Sequence, residues 1–238
     1  MLLGVGVALE QIRLVRPAFG FGVLDDLFVV LDDGSGNHLQ LDNHFASAAP
    51  SIERLVFASG EQIDLTRALS IRGGAGNDAL AGTGHDDTLD GGAGNDTLFG
   101  GQGDDTYRFS DKFFGYDVVG EDAAGQADAL RLTDLSLAGI RLVGSGDALL
   151  VTEARGGARV AVLGQYDEDG ASIEKLLLAG GVSLDLTRGQ TFRGSSGPEA
   201  ITGTRFADTI IGNAGGDDLR GGAGNDTYVF ARGWGTDR

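Results

Sequence analysis

The sequence predicts an all-β protein in which two glycine-rich blocks of stacked short strands alternate with β-rich spacer and capping blocks. Three observations carry that prediction. Nine-residue units run in phase from Gly73 and again from Gly194, a much longer unit repeats along the chain, and β-branched segments separated by Gly turns lie between the glycine blocks. From Gly73 the units read GGAGNDALA, GTGHDDTLD, GGAGNDTLF and GGQGDDTYR; from Gly194 they read GSSGPEAIT, GTRFADTII, GNAGGDDLR and GGAGNDTYV. Position 1 is always Gly. Position 6 is always acidic, through Asp78, Asp87, Asp96, Asp105, Glu199, Asp208, Asp217 and Asp226. Position 8 is always large and apolar, through Leu80, Leu89, Leu98, Tyr107, Ile201, Ile210, Leu219 and Tyr228. Three residue classes held in phase exclude a flexible linker, and collagen fails for want of a three-residue Gly period and of proline.

Each class has a physical reason. Glycines at the front of a unit permit the positive φ of a tight turn and leave carbonyls free to converge. The acidic sixth residue closes the turn with a carboxylate. Residues 7 to 9 then form a short strand with one apolar side chain turned inward. Such a strand is too short to stand alone, so strands must stack, which aligns apolar side chains in one stripe and turn oxygens in rows. Oxygen ligands without sulfur or clustered histidine select Ca²⁺, which takes 6 to 8 oxygens at about 2.3–2.6 Å. Fold and ion then require each other.

Composition agrees. The 238 residues include 42 Gly and 35 acidic against 18 basic side chains, a net charge of −17. That balance argues against nucleic acid as a partner. Hydrophobic content of 41% is too high for a disordered tail. No Cys is present, which removes disulfides and thiolate metal sites. No apolar run reaches the roughly 20 residues of a membrane span. Met1 to Val7 lacks the basic start of a signal peptide, so export would use a signal that this stretch does not show.

The nonamers GGAGNDTLF and GGAGNDTYV resemble the GGxGxDxUx nonapeptide of RTX proteins, the haemolysin-type calcium-binding repeats. The resemblance implies a right-handed parallel β-roll (β-helix), two nonamers per turn, with several calcium ions held between turns on the same side. It pairs Asp78 with Asp96, Asp87 with Asp105, Glu199 with Asp217, and Asp208 with Asp226. It further implies carbonyl ligands: Gly74 and Gly76 facing Gly91 and Ala93; Thr83 and His85 facing Gly100 and Gln102; Gly197 facing Gly212 and Ala214; Thr204 and Phe206 facing Gly221 and Ala223. Gly115-Tyr116-Asp117 and Gly235-Thr236-Asp237 follow the blocks as extra half-turns, and Asp117 is a candidate to complete a further site. His85 and Phe206 depart from the fourth-position Gly, Pro198 follows Gly197, and Glu199 replaces Asp. The second block is therefore expected to fill at higher calcium than the first.

The longer unit has an offset of 121 residues. It carries SIERLVFASGEQIDLTRA at Ser51 onto SIEKLLLAGGVSLDLTRG at Ser172, and Gly73 onto Gly194. Asp26 to Val30 likewise aligns with Asp147 to Val151, while IRLV at 12–15 matches IRLV at 140–143 only with an insertion around Pro17 to Gly22. The expected layout is an incomplete β-rich block (1–72), a first roll block (73–109), a β-rich spacer (110–193) and a second roll block (194–238), cut from a longer tandem array. In the spacer, Ile140 to Val143, Ala148 to Glu153 and Arg159 to Gln165 read as a meander, and Ser172 to Leu178 as a strand despite a helix-capping pattern.

Catalytic signatures are missing: no HExxH, GxSxG, P-loop or Cys-His pair occurs, and no Asp-Pro bond offers self-cleavage. No enzyme activity is expected of this chain. His38 and His44, six apart, would share a strand face as a transition-metal pair, but read as solvated surface residues. Asp167 to Gly170 starts like an EF-hand without its later ligands and reads as an acidic turn. The expected function is a calcium-binding structural module of a secreted or cell-surface protein that folds on export, with calcium and neighbouring repeat units as partners. Two alternatives stay open: an adhesin segment whose β-rich block binds a glycan, and an accessory region of an exported toxin or enzyme.

Overall fold

The computed structural model describes residues 2–3, 12–15, 27–31, 38–41, 52–109, 115–121, 127–145, 147–154, 157, 159–165 and 173–238. The expected insertion around Pro17 to Gly22, the acidic turn at Asp167 to Gly170, and His44 lie outside them. Among the described residues, helical structure is confined to two 3-10 turns, Leu137–Gly139 and Ala179–Gly181, and everything else regular is strand.

The chain in the first block crosses back and forth between two parallel sheets. One sheet stacks Ala79–Ala81, Thr97–Phe99, Tyr116–Gly120 and Arg159–Val162. The other stacks Ser70–Arg72, Thr88–Asp90, Thr106–Phe109, Ala129–Leu132 and Lys175–Leu178. This is a parallel β-roll: consecutive strands lie in opposite sheets, and each finds its hydrogen-bond partners one full turn above and below. Three-residue strands survive here only because stacking satisfies their backbone groups on both sides.

Register places the eighth positions in columns. Ile71, Leu89, Tyr107, Leu130 and Leu176 align in one sheet, and Leu80, Leu98 and Val119 in the other, all at 2% exposure or less. Their neighbours at positions 7 and 9 are less buried, as in the pattern of Thr97–Phe99, so each nonamer, half a coil, contributes one apolar side chain to a single continuous core. In the second block Thr191–Arg193, Thr209–Ile211 and Thr227–Tyr228 stack in parallel, as do Ala200–Thr202 and Asp218–Arg220.

The spacer extends the roll rather than interrupting it. Ile140–Ser145, Ala148–Glu153 and Arg159–Val162 form the expected antiparallel meander, whose last strand joins the parallel sheet beside Tyr116–Gly120. Lys175–Leu178 is a strand, joined in an antiparallel hairpin to Ser183–Asp185. The buried Gln165 side chain bonds both the carbonyl and the N–H of Ile173, at 2.8 and 3.0 Å, fixing the chain where it enters that strand. The 121-residue repeat is visible too, since Arg54–Phe57, Gln62–Asp64 and Ser70–Arg72 reproduce Lys175–Leu178, Ser183–Asp185 and Thr191–Arg193.

The eighth-position side chains of the first block lie fully within the apolar core. Leu98→Ala, in mid-column, is expected to lower unfolding free energy by about 2–5 kcal/mol. Arg108→Ala, on the exposed side of the same roll, is expected to stay within about 0.5 kcal/mol. Urea unfolding in excess calcium compares the two, and equal effects would mean that the column is not the core.

Candidate metal centre

The turns between strands carry an acidic ladder. The sixth-position N–H of a first-turn nonamer donates to one carboxylate oxygen of the acidic residue one turn ahead: Asp78 to Asp96 at 2.8 Å, Asp87 to Asp105 at 2.6 Å, Glu199 to Asp217 at 2.9 Å and Asp208 to Asp226 at 3.0 Å. The ladder runs past the repeats. Asp96 donates to Asp117, Asp105 to Asp128, Asp128 to Glu174 and Asp217 to Asp237, at 2.7 to 3.0 Å. At its near ends Leu69 donates to Asp87 and Gln190 to Asp208, both at 2.6 Å and equivalent by the 121-residue offset.

The second carboxylate oxygen divides the ladder in two. In the first turn of each block it caps its own loop, accepting the second-position N–H: Gly74 to Asp78 at 2.6 Å, Thr83 to Asp87 at 2.5 Å, Ser195 to Glu199 at 3.0 Å and Thr204 to Asp208 at 2.5 Å. In later turns the second residue swings into the left-handed region, at Gly92 (φ 88°), Gly101 (101°), Asn213 (69°) and Gly222 (90°). That rotation aims the Gly92 N–H at Asp90 instead. The Oδ2 atoms of Asp96, Asp105 and Asp217 are consequently buried with no hydrogen-bond partner, and those of Asp117 and Asp237, in the segments that follow the nonamers, are buried without one as well. A buried ionised oxygen without a donor is costly.

This geometry revises the reason for the glycines. Position 1 needs Gly for close approach: a Cβ on Gly73, Gly82, Gly194 or Gly203 would collide with the carbonyl of Gly91, Gly100, Gly212 or Gly221 on the next turn and crowd the loop's own carboxylate. Positive φ is required at positions 2 and 4 of later turns only, as at Gly94 (132°) and Gly103 (114°). His85, Arg205 and Phe206 occur in first-turn nonamers, where the backbone does not demand glycine.

The sequence-derived carbonyl set falls on these facing turns. The Gly74, Thr83 and Thr204 carbonyls accept N–H groups of Ala93, Gln102 and Ala223, at 3.1 to 3.3 Å. The Gly76, His85, Gly197 and Phe206 backbones lie where a Cβ on Gly94, Gly103, Gly215 or Gly224 would strike them. Gly91, Gly100, Gly212 and Gly221 present their carbonyls to the facing first-position glycine, and Ala214 sits half-buried beside Asn213. Asp117 is 1% exposed and lies next to Asp96. Sequence reasoning missed Asp128 and Glu174. The signal that would have found them is the triplet of acid, any residue, apolar residue: Asp128-Ala129-Leu130 and Glu174-Lys175-Leu176 repeat Asp78-Ala79-Leu80 without its glycines.

Electrostatics point the same way. Desolvation by burial raises Asp87 and Asp96 above the usual carboxylate range and pushes Asp105 and Asp117 up to about 7, and neighbouring carboxylates add to the rise at Asp96, Asp105 and Asp117. Asp185 shows the opposite case: exposed, and bonded to Thr187 and Arg188, it falls to about 2. Enclosed carboxylate oxygens without donors, beside rows of carbonyls and without sulfur, are a donor set that fits a hard divalent cation.

The model of the RTX calcium-binding nonapeptide repeat, in four copies, matches residues 71–107 and 193–228. The two blocks are RTX calcium-binding repeats. RTX repeats bind calcium ions, which assigns the cation that this donor set suits. No curated protein matches the chain. Among solved structures, the extracellular lipase LipA of Serratia marcescens is similar at 19% identity and a TM-score of 0.33, over 64% of this chain and 29% of the lipase. The chain thus spans less than a third of the lipase's length. Among the described residues, no helix is long and apolar enough to cross a membrane.

In chelator the roll must hold its carboxylates by protonation. With Asp105 and Asp117 at about 7 when folded and 3.8 as the ordinary value, the folded chain binds more protons than the unfolded one between about pH 4 and 7. Stability of the metal-free chain is therefore expected to fall as pH rises through that window. Thermal unfolding in chelator at pH 5 and pH 8 tests the sign, and greater stability at pH 8 would contradict it.

Proposed function

We propose that the chain is a calcium-dependent structural module of an exported protein, expanded where calcium is scarce and wound into its roll once calcium is met outside the cell. The observation that carries this reading is the set of buried carboxylate oxygens that the polypeptide leaves without donors. Water solvates these groups in the expanded chain, and once they are ionised a cation replaces that solvation in the stacked one. The RTX repeats supply the cation's identity, and such repeats are typical of exported proteins. Within this reading, Asp96, Asp105, Asp117, Asp217, Asp226 and Asp237 supply bridging carboxylates. First-turn Asp78, Asp87, Glu199 and Asp208 shape their loops as well, and position-1 carbonyls complete the coordination. Residues 73–109 and 194–238 act as the calcium-bound blocks, and 1–72 and 110–193 as the segments that cap and extend them.

Circular dichroism and small-angle scattering in chelator and then in millimolar Ca²⁺ are expected to show an expanded chain becoming compact and β-rich. Mg²⁺ is expected to substitute poorly, since it demands a small octahedral shell. A chelated chain that is already compact and β-rich would refute the proposal.

The role of individual acids is tested separately. Asp96→Ala removes a bridging carboxylate from mid-ladder and is expected to raise the calcium midpoint of folding by at least about tenfold, a loss typical even of groups that only orient a ligand. Asp134→Ala, at an exposed position off the ladder, is expected to leave the midpoint in place. Equal shifts would show that diffuse charge neutralisation, rather than ordered sites, drives folding.

A further inference from the structure

The first roll block does not end where its nonamers end. After Arg108 the same-side stack continues through Asp128, and the other sheet contributes Glu121 directly after the strand Tyr116–Gly120. One carboxylate oxygen each from Asp105, Glu121 and Asp128 lie within 4.8 Å of one another. Asp105 and Asp128 are 1% and 0% exposed, and Glu121 is half-buried. Three acidic groups in so small a volume are not by themselves a site. The second observation is the Oδ2 of Asp105, fully enclosed and without any hydrogen-bond partner. It faces the space beside Gly100 that the Tyr107 hydroxyl also faces, since a Cβ built on Gly100 would meet both.

Tyr107 closes that space. Its hydroxyl accepts the Gly100 N–H at 2.5 Å, lies 3.1 Å from the Gly120 carbonyl and donates to Glu121. Burial holds the phenol's pKa well above its ordinary value, so it keeps its proton and positions Glu121 without supplying counter-charge. The charges acting on Asp105 are the like-signed carboxylates of Asp87, Asp128 and Asp86.

We propose that Asp105, Glu121 and Asp128 form a further divalent-cation site, suited to calcium, that locks the roll at the point where its nonapeptide repeats stop. The proposal rests on the calcium reading above but extends it to residues outside the repeats. Glu121 has no counterpart in a nonamer. Asp105 and Asp128 precede paired strands of one sheet, Thr106–Phe109 and Ala129–Leu132, whereas Glu121 directly follows a strand of the other. A cation among them ties the two sheets together, and water completes its shell of oxygens. Asp105 belongs to the last nonamer of the first block while Glu121 and Asp128 lie beyond it, so the site serves as the transition from repeat to spacer.

The experiment counts calcium on the whole chain by native mass spectrometry, for the wild type and for Glu121→Gln. That substitution keeps the hydrogen bond from Tyr107 but removes the charge. One ion fewer in the variant, with the remaining ions retained, is the expected result; an unchanged count would mean that the three carboxylates share a proton instead, and would overturn the site. Crystals of the wild-type chain grown with Tb³⁺ in place of Ca²⁺ give an answer that does not depend on the variant's folding. An anomalous peak enclosed by Asp105, Glu121 and Asp128 supports the site, and peaks confined to the nonamer turns overturn it. A wild-type chain that takes up no calcium at all sinks the underlying calcium reading together with this site, and so is distinguishable from failure of the site alone.

Discussion

Among the described turns, each coil of the roll is registered on the next by one kind of bond, made once in each of its two loops, from the N–H of an acidic residue to the carboxylate of the acidic residue one turn ahead. The bond does two things at once. It sets the strand that follows in register with its neighbour, because position 6 immediately precedes the strand. It also brings the carboxylates into the wall of the roll, where the second oxygens of Asp96, Asp105, Asp117, Asp217 and Asp237 find no donor. The apolar columns give such a stack its core, but their strands are only three to five residues long and the walls are lined with like charge. Counter-charge is thus part of the architecture, and ligand and fold are two aspects of one constraint.

Much of this was legible in the sequence because the nonamer fixes side-chain class by position. Fixed apolar eighth residues specified the buried columns, and fixed acidic sixth residues specified which turns would meet. The reason for glycine was legible only in part. A sequence shows that Gly73 and Gly92 are glycine, but not that the first avoids a collision while the second supplies a left-handed residue. That difference depends on whether a turn has another below it. Asn213 stands in for glycine at 69°, as a short polar side chain can.

What lies beyond the repeats was harder to read for a different reason. The step from Asp78 to Asp96 is 18 residues, from Asp96 to Asp117 it is 21, from Asp105 to Asp128 it is 23, and from Asp128 to Glu174 it is 46. Once the step varies, period is lost and only the local acid-to-apolar triplet survives. Glu121 carries no pattern at all, because its position depends on where Tyr107 reaches across the roll. The meander of Ile140–Ser145, Ala148–Glu153 and Arg159–Val162 was read correctly as three antiparallel strands, yet its parallel junction with Tyr116–Gly120 joins segments too far apart for any local signal.

The unequal steps also impose an order of assembly. Closing a coil costs entropy that grows with the logarithm of the residues enclosed, so a 46-residue step is costlier than an 18-residue one by about 0.8 kcal/mol before any contact is made. The nonamers are therefore the natural nucleus. Once two of their coils have met, each added strand docks on an edge already formed, and the long spacer coils, with the meander folded inside one of them, are recruited last. Growth is then expected to run outward from the first glycine block toward Glu174, with the least repetitive part of that stretch wound last.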